Sequence, residues 1–468
     1  MNAGGTDKDV RMVLDRIRAA IGRGEEIPGV ELRELIRQTG SEDPSTARQG
    51  LKALFPGLIE WLNDSFTPAA AGYYTQLFSQ VIDHFRSHPA GDEFDRQLQG
   101  FGLNDQESIL HRFKRLEKGP VRGSIAPERL RRAIFLSRVT IGADVAVTSV
   151  LIDGLRRMLP DPARVEIVLL GSGKLRELYG GDSGIRVREV RYERGGTMLA
   201  RLMSWREVIA AVEDEISGLE SGAYLVIDPD SRLTQLGLLP VLPPELEPQG
   251  YRFFPSRVFT SPGCSSLGEL AAAWVDGEGG GRSFVALPDR YVESGGEVVR
   301  RLRGLGARRI VTVSLGVGGN PEKSAGEDFE IALLRRLSRR SWVILDRGLG
   351  ASEQEQVERV ISPLRAAGIP ILTSGEGEDW KIDLAAPAES GILTWQGGIG
   401  SLAGLIMRSD RYVGYDSSGQ HLAAAIGVPA VTIFISGNPP VFADRWAPFG
   451  QRSRVIRMKQ PEIKPDAE

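Results

Sequence analysis

Between Val413 and Phe434 the chain reads VGYDSSGQHLAAAIGVPAVTIF, and positions 416–421 hold an acid, two hydroxyls, a glycine, an amide and a histidine. An apolar strand pattern leads into them, and an apolar helical pattern closed by Gly427 ahead of Pro429 leads out. Such a turn sets the free amides of a helix's first turn at the carboxyl edge of a sheet, where they attract an anion. Asp416 or Ser417 can cap the helix, Ser418 adds a hydroxyl, Gly419 lets a backbone approach closely, and His421 falls in the first turn beside any anion that docks. A plain capped helix with a satisfied histidine reads equally well from this stretch alone.

Two further loops carry complementary groups. After the strand pattern RIVTVSLG comes VGGNPEKS, where glycines and one cation, Lys323, suit a pyrophosphate, although the GxxxxGK[ST] loop is absent. After WVILDRGLG comes ASEQEQ, in which Glu353 can accept from ribose hydroxyls or adenine amines, or simply start an acidic helix. The three loops together describe a nucleotide diphosphate site. In IFLSRVTIGADVAVTSVL, Asp144 follows a strand and a glycine turn, so it reads either as a general base or as a helix cap. VIDPDSR places Asp228 and Asp230 around a proline, the shape of a metal clamp or of an ordinary turn.

The elements that must position these residues change along the chain. From residue 1 to 125 apolar residues recur at three and four, a helical module. His84 and His88 lie four apart there, and with His111 they read as surface or interface histidines rather than ligands. The basic run HRFKRLEKGPVRG reads as a solvated helix end. From 126 to 288 and again from 289 to 468, short β-rich runs alternate with helical segments, the rhythm of parallel sheets covered on both faces. The stretch from VDGEGGGRS to YVESGG is the expected join.

GYDSSGQHLAAAIGVPAVTIF, preceded by GGIGSLAGLIMRSD and followed by WAPFG, resembles the donor-binding segment of glycosyltransferase family 9, the ADP-heptose:lipopolysaccharide heptosyltransferases. The segment IFLSRVTIGADVAVTSVLIDGLRRMLP is similar to the family's opening strand, catalytic loop and first helix, and SLGVGGNPEKS to its donor loop. The resemblance runs from about Leu130 to Gly450. It implies a GT-B fold of two Rossmann-like domains, here preceded by an all-α domain, and metal-independent inverting transfer without a cofactor. It also implies that Asp144 is the general base, that Lys323 reaches the diphosphate, and that Asp416, Ser417, Ser418 and His421 face the nucleotide sugar. Gly142-Ala143-Asp144 stands where Gly-Asp is usual, no Trp-Pro follows Lys323, and the helical module has no counterpart in the minimal family. The donor sugar, heptose or other, and the acceptor, a glycan, lipid-linked glycan or protein, are therefore open.

Composition narrows the rest. A chain of 468 residues, 41% hydrophobic, can build two or three domains. With 58 Lys and Arg against 61 Asp and Glu, no nucleic-acid partner is expected. The single Cys264 excludes an internal disulfide, the charged amino terminus is unlike a signal peptide, and no run nears the ~20 apolar residues that span a bilayer. The expectation is a cytoplasmic protein, with attachment at the inner membrane face and a partner or self-association role for residues 1–125 left open. Two rival readings are a non-catalytic nucleotide-sugar or glycan binder with a partner-recruiting helical module, and a metal-dependent transferase using Asp228 and Asp230.

Overall fold

The computed structural model describes residues 3–193, 196–318, 320–377, 388–436, 439–450 and 452–459. Its first hundred-odd residues are helical. Asp43, Thr67 and Asp105 cap helices through the amides of Thr46, Ala70 and Ser108, and Pro44 and Pro68 sit at first helical positions, where a missing N–H costs nothing. His84 lies in the last turn of the helix Pro68–Arg86 and His88 lies beyond it, each ring against Phe85, so the two do not share a helical face.

Two all-parallel sheets follow. The first comprises β1 (Arg132–Leu136), β2 (Glu166–Gly171), β3 (Ile185–Glu189), β4 (Tyr224–Asp228) and β5 (Tyr251–Phe253), in the order β3-β2-β1-β4-β5. The second comprises β6 (Ile310–Ser314), β7 (Trp342–Asp346), β8 (Ile371–Gly375), β9 (Gly391–Gln396), β10 (Arg411–Tyr415), β11 (Ala430–Ser436) and β12 (Ser453–Lys459), in the order β12-β11-β10-β6-β7-β9-β8. Strands β4 and β6 are buried throughout, as strands covered on both faces must be. The strand order reverses between β1 and β4 in the first sheet and between β6 and β10 in the second, where β9 also returns to lie between β7 and the edge strand β8. Ligands bind outside the carboxyl ends at such reversals.

The helical unit is joined to the first sheet by apolar packing. Leu58, Phe78 and Ile82 belong to one buried core with Trp205, Leu239 and Phe253. Arg112, expected on a solvated face, is 3% exposed: it donates to Glu247 Oε1 at 2.9 Å and to the Gly237 carbonyl at 2.9 Å. The opposite face of the first sheet shares a core with the C-terminal unit, through Phe135 and Leu151 together with Tyr412, Leu422 and Phe434. The expected glycine-rich join is half helix, since YVESGG lies inside Asp289–Gly304. A Cβ on Gly295 would lie 2.3 Å from the Gly404 carbonyl oxygen, so that glycine serves a helix crossing rather than a linker. Among the described residues no helix is long and apolar enough to cross a membrane.

Candidate functional site

The loops after β6 and β10 meet at the reversal of the second sheet. Lys323 Nζ donates to Asp416 Oδ2 at 2.6 Å and lies 5.4 Å from the Phe442 ring centroid. Its loop is pinned from below: Ala325 N donates to Tyr415 Oη at 3.0 Å, and Ser324 Oγ donates to the buried Glu330 at 2.8 Å. Asp416 Oδ1 accepts from Gln420 Nε2 at 2.6 Å. The aspartate thus bridges the cation and the first turn of helix Ser418–Ile426, whose N-cap, Ser417, makes no side-chain capping bond. Gly419 is required by its own unit, because a Cβ there would sit 2.1 Å from Tyr412 Oη.

His421 is 4% exposed, and burial lowers its pKa to about 4, with Asp416 opposing and Lys323 assisting. It is neutral at physiological pH. Gln420 Nε2 lies 3.3 Å from His421 Nε2. Donation across that contact leaves the imidazole proton on Nδ1. Both His421 Nδ1 and Gln420 Oε1 are buried with no hydrogen-bond partner among the described residues. Buried polar atoms are seldom left so, and two together mark a place where a ligand belongs. The His421 ring lies 6.1 Å from that of Trp446, which also meets the Phe442 ring at 6.5 Å and the Arg138 guanidinium of the first unit at 6.0 Å.

Glu353 stands apart from Lys323, in a small pocket at the ends of β6 and β7 lined also by Gly316, Asp346 and Gly348. It accepts from Gly350 N at 3.2 Å, and Asp346 accepts from Gly348 N at 3.0 Å. Two carboxylates beside a glycine loop can accept from sugar hydroxyls or base amines.

Across the cleft, Asp144 begins a π-turn, Asp144–Thr148. It is 1% exposed and accepts from Ser137 Oγ at 2.6 Å, Arg138 N at 2.7 Å and Thr148 Oγ1 at 2.9 Å. Burial raises its pKa to about 6 against the pull of those three bonds. The turn before it holds Val139 at φ 74°, a strained position for a β-branched residue. Gly142 lies against the second unit, since a Cβ there would lie 3.2 Å from Ser418 Cα and 3.3 Å from His421 Cδ2. Asp228 accepts from Ser231 N and Tyr251 Oη, each at 2.6 Å, and Asp230 pairs with Arg257 at 3.0 Å. Both are buried and already engaged.

Sequence reading missed Gln420, Tyr415, Glu330 and Arg138. Gln420 and Tyr415 both lay inside the quoted stretch, Tyr415 directly before Asp416. Arg138 and Glu330 carried no local signal, because the Arg138 guanidinium bonds the Pro229 carbonyl and Glu330 accepts from Tyr415, each over 80 residues away.

The family model described as Glycosyltransferase family 9 (heptosyltransferase) matches residues 396–468. The solved glycosyl transferase family 9 structure from Veillonella parvula DSM 2008 is similar at TM-score 0.50 and 15% identity, over 72% of this chain and 88% of that one. E. coli ADP-heptose lps heptosyltransferase II gives 0.46 and 13% over 71% and 92%. E. coli heptosyltransferase WaaC with ADP gives 0.44 and 12% over 70% and 93%. No curated protein matches the chain. The likeness to the Veillonella structure is one of fold, that of two facing parallel-sheet units. With the segment match, it makes this chain glycosyltransferase family 9-like.

Proposed function

We propose that this glycosyltransferase family 9-like chain moves a sugar, heptose or other, from a nucleoside diphosphate sugar to an acceptor hydroxyl, without a metal and with inversion. The acceptor is a glycan, a lipid-linked glycan or a protein. One observation carries the reading: a cation, an uncapped helix amino end and two unpartnered buried polar atoms converge where the second sheet reverses. In this reading the diphosphate lies on the first turn of helix Ser418–Ile426 and competes with Asp416 for Lys323. His421 Nδ1–H donates to a phosphate oxygen, and Glu353 with Asp346 receives the nucleoside. Fixed amides and Lys323 then stabilise the charge that develops on the departing diphosphate. Metal independence is supported by the engagement of Asp228 and Asp230, which leaves neither carboxylate facing the cleft unbonded.

The experiment is titration with ADP and UDP in the presence of EDTA, on wild type and Lys323→Ala. A charge-assisted bond to phosphate contributes roughly 1.5 to 3 kcal/mol, so the variant is expected to bind about 10- to 100-fold more weakly. Equal affinities remove Lys323 from the site. Binding or turnover abolished by EDTA and restored by Mn²⁺ favours the metal-dependent alternative at Asp228 and Asp230.

A further inference from the structure

The helical unit reaches the cleft. Between the short helix Trp61–Asn63 and the helix Pro68–Arg86, residues 64–67 leave the helical core. Phe66 is buried in the core that also holds Leu422, Phe434 and Phe442, and the Arg445 guanidinium lies 5.9 Å from its ring centroid. It holds φ 49°, a conformation that a bulky residue keeps only where its surroundings over-determine it. Three of the five described non-glycine residues at positive φ, Phe66, Val139 and Asp230, sit on segments that border this cleft. On the other side of the loop, Asn63 Oδ1 accepts from Arg257 at 3.3 Å, the same arginine that pairs with Asp230.

Asp64 stands between these anchors. It is half-buried, and among the described residues its carboxylate accepts no hydrogen bond and forms no ion pair within 4 Å. The charged groups that face it are Lys323 and Asp416 from the donor loops, Glu60 from its own unit and Arg232 from the loop after β4. The other acids around the cleft are engaged: Asp144 by three donors, Asp228 by its own turn, Asp230 by Arg257 and Asp416 by Lys323.

We propose that Asp64, carried into the cleft by the helical unit, is the general base that takes the acceptor's proton. The assignment rests on the transferase reading above. The Asp64 carboxylate accepts the hydroxyl proton as the acceptor oxygen bonds to the anomeric carbon. The bond from that carbon to the diphosphate breaks, and its electron pair leaves on the nucleoside diphosphate beside Lys323. Burial raises the Asp64 pKa to about 7, Lys323 and Arg232 opposing and Glu60 and Asp416 assisting, a value suited to proton abstraction near neutral pH. The free carboxylate thus comes from the helical unit and the donor cation from the unit of the second sheet.

The test uses the full chain and whichever of ADP-heptose, ADP-glucose and UDP-glucose raises its melting temperature most. Nucleoside diphosphate release is followed with water as acceptor from about pH 5 to pH 9, beside ADP affinity and melting temperature. Asp64→Asn is expected to lower release by about 100-fold or more and to abolish the rise in rate through about pH 7, with ADP affinity within about threefold of wild type. Asp64→Glu is expected to recover part of the rate, Asp64→Ser serves as a second neutral variant should Asn fold poorly, and Asp144→Asn is expected to keep the pH-dependent rise. Release within about threefold of wild type in both neutral variants overturns the assignment, as does a rise lost in Asp144→Asn but kept in Asp64→Asn. A wild type that binds ADP yet releases none from any of the three donors also overturns it and leaves a nucleotide binder. Absence of ADP binding removes the transferase reading itself and this assignment with it.

Discussion

His421 is an imidazole kept neutral by its surroundings, and that has a measurable cost in acid. Its folded pKa of about 4 lies below the ordinary 6.5, so the fold excludes a proton that the unfolded chain binds. The stability it contributes is therefore present above about pH 6.5 and lost as pH falls toward about 4, on the order of 3 kcal/mol across that window. Asp64, Asp144 and Asp228 act in the opposite sense, because their raised pKa values make the fold the better proton acceptor as pH falls through about 7 to 6. The difference between wild type and His421→Gln isolates the imidazole. Urea unfolding near pH 4.5 and pH 7 is expected to show the variant losing less stability on acidification, and equal losses would place the histidine in contact with water. The residues of this site were unequally legible. Asp416, Ser417, Lys323 and His421 announce themselves by type and position beside strand patterns, and the structure brings Lys323 and Asp416 into contact. Asp64, in WLNDSF, offers no motif, since only a turn at Phe66 and the charges of Arg232, Lys323 and Asp416, far along the chain, give it a place.

At the scale of elements, the alternation of strand and helix was readable because buried parallel strands are short continuous apolar runs bounded by turns. Strand β3 was not, since Arg186, Arg188 and Glu189 interrupt the run and pair with opposite charges on other elements, Arg186 with Glu166 at 2.7 Å and Glu189 with Arg176 at 3.0 Å. Nor was helix Asp289–Gly304, where paired glycines look like a linker. Gly295 and Gly296 make a test of what they do instead. A Cβ on Gly295 would strike the Gly404 carbonyl oxygen at 2.3 Å, whereas one on Gly296 would meet only the arginine tips of Arg300 and Arg408, at 3.5 and 3.7 Å. Gly295→Ala is expected to destabilise by about 1 to 3 kcal/mol through overpacking. Gly296→Ala is expected to stabilise by up to about 1 kcal/mol through helix propensity. Denaturant midpoints that move the same way in both variants would argue against a close helix crossing.

Across the whole molecule, cores cross the boundaries between units: the helical residues share one with the first sheet, and that sheet's other face shares one with the C-terminal unit, which also has cores of its own. Sequence period could separate three stretches of chain but could not reveal this sharing, because apolar periodicity reports a buried face and not what covers it. The Glu177 carboxylate, from the first unit, accepts from Gly400 N at 2.9 Å and so closes the amino end of helix Ile399–Arg408 in the second. Gly142 and Ser418 face each other in the same seam with no side chain on the glycine to hold them apart. The bulk at position 142 therefore sets how closely the two units can approach at that point, as the stop of a vice sets its jaws. Replacing Gly142 by Ala, Val and Leu in turn would act as a graded wedge. Turnover is expected to decline with each added carbon and the scattering-derived radius to grow, while ADP affinity holds, because the proposed nucleotide loops all belong to one jaw. On the proposed function, a single glycine thus sets how closely the first unit approaches the Ser418 turn of the second.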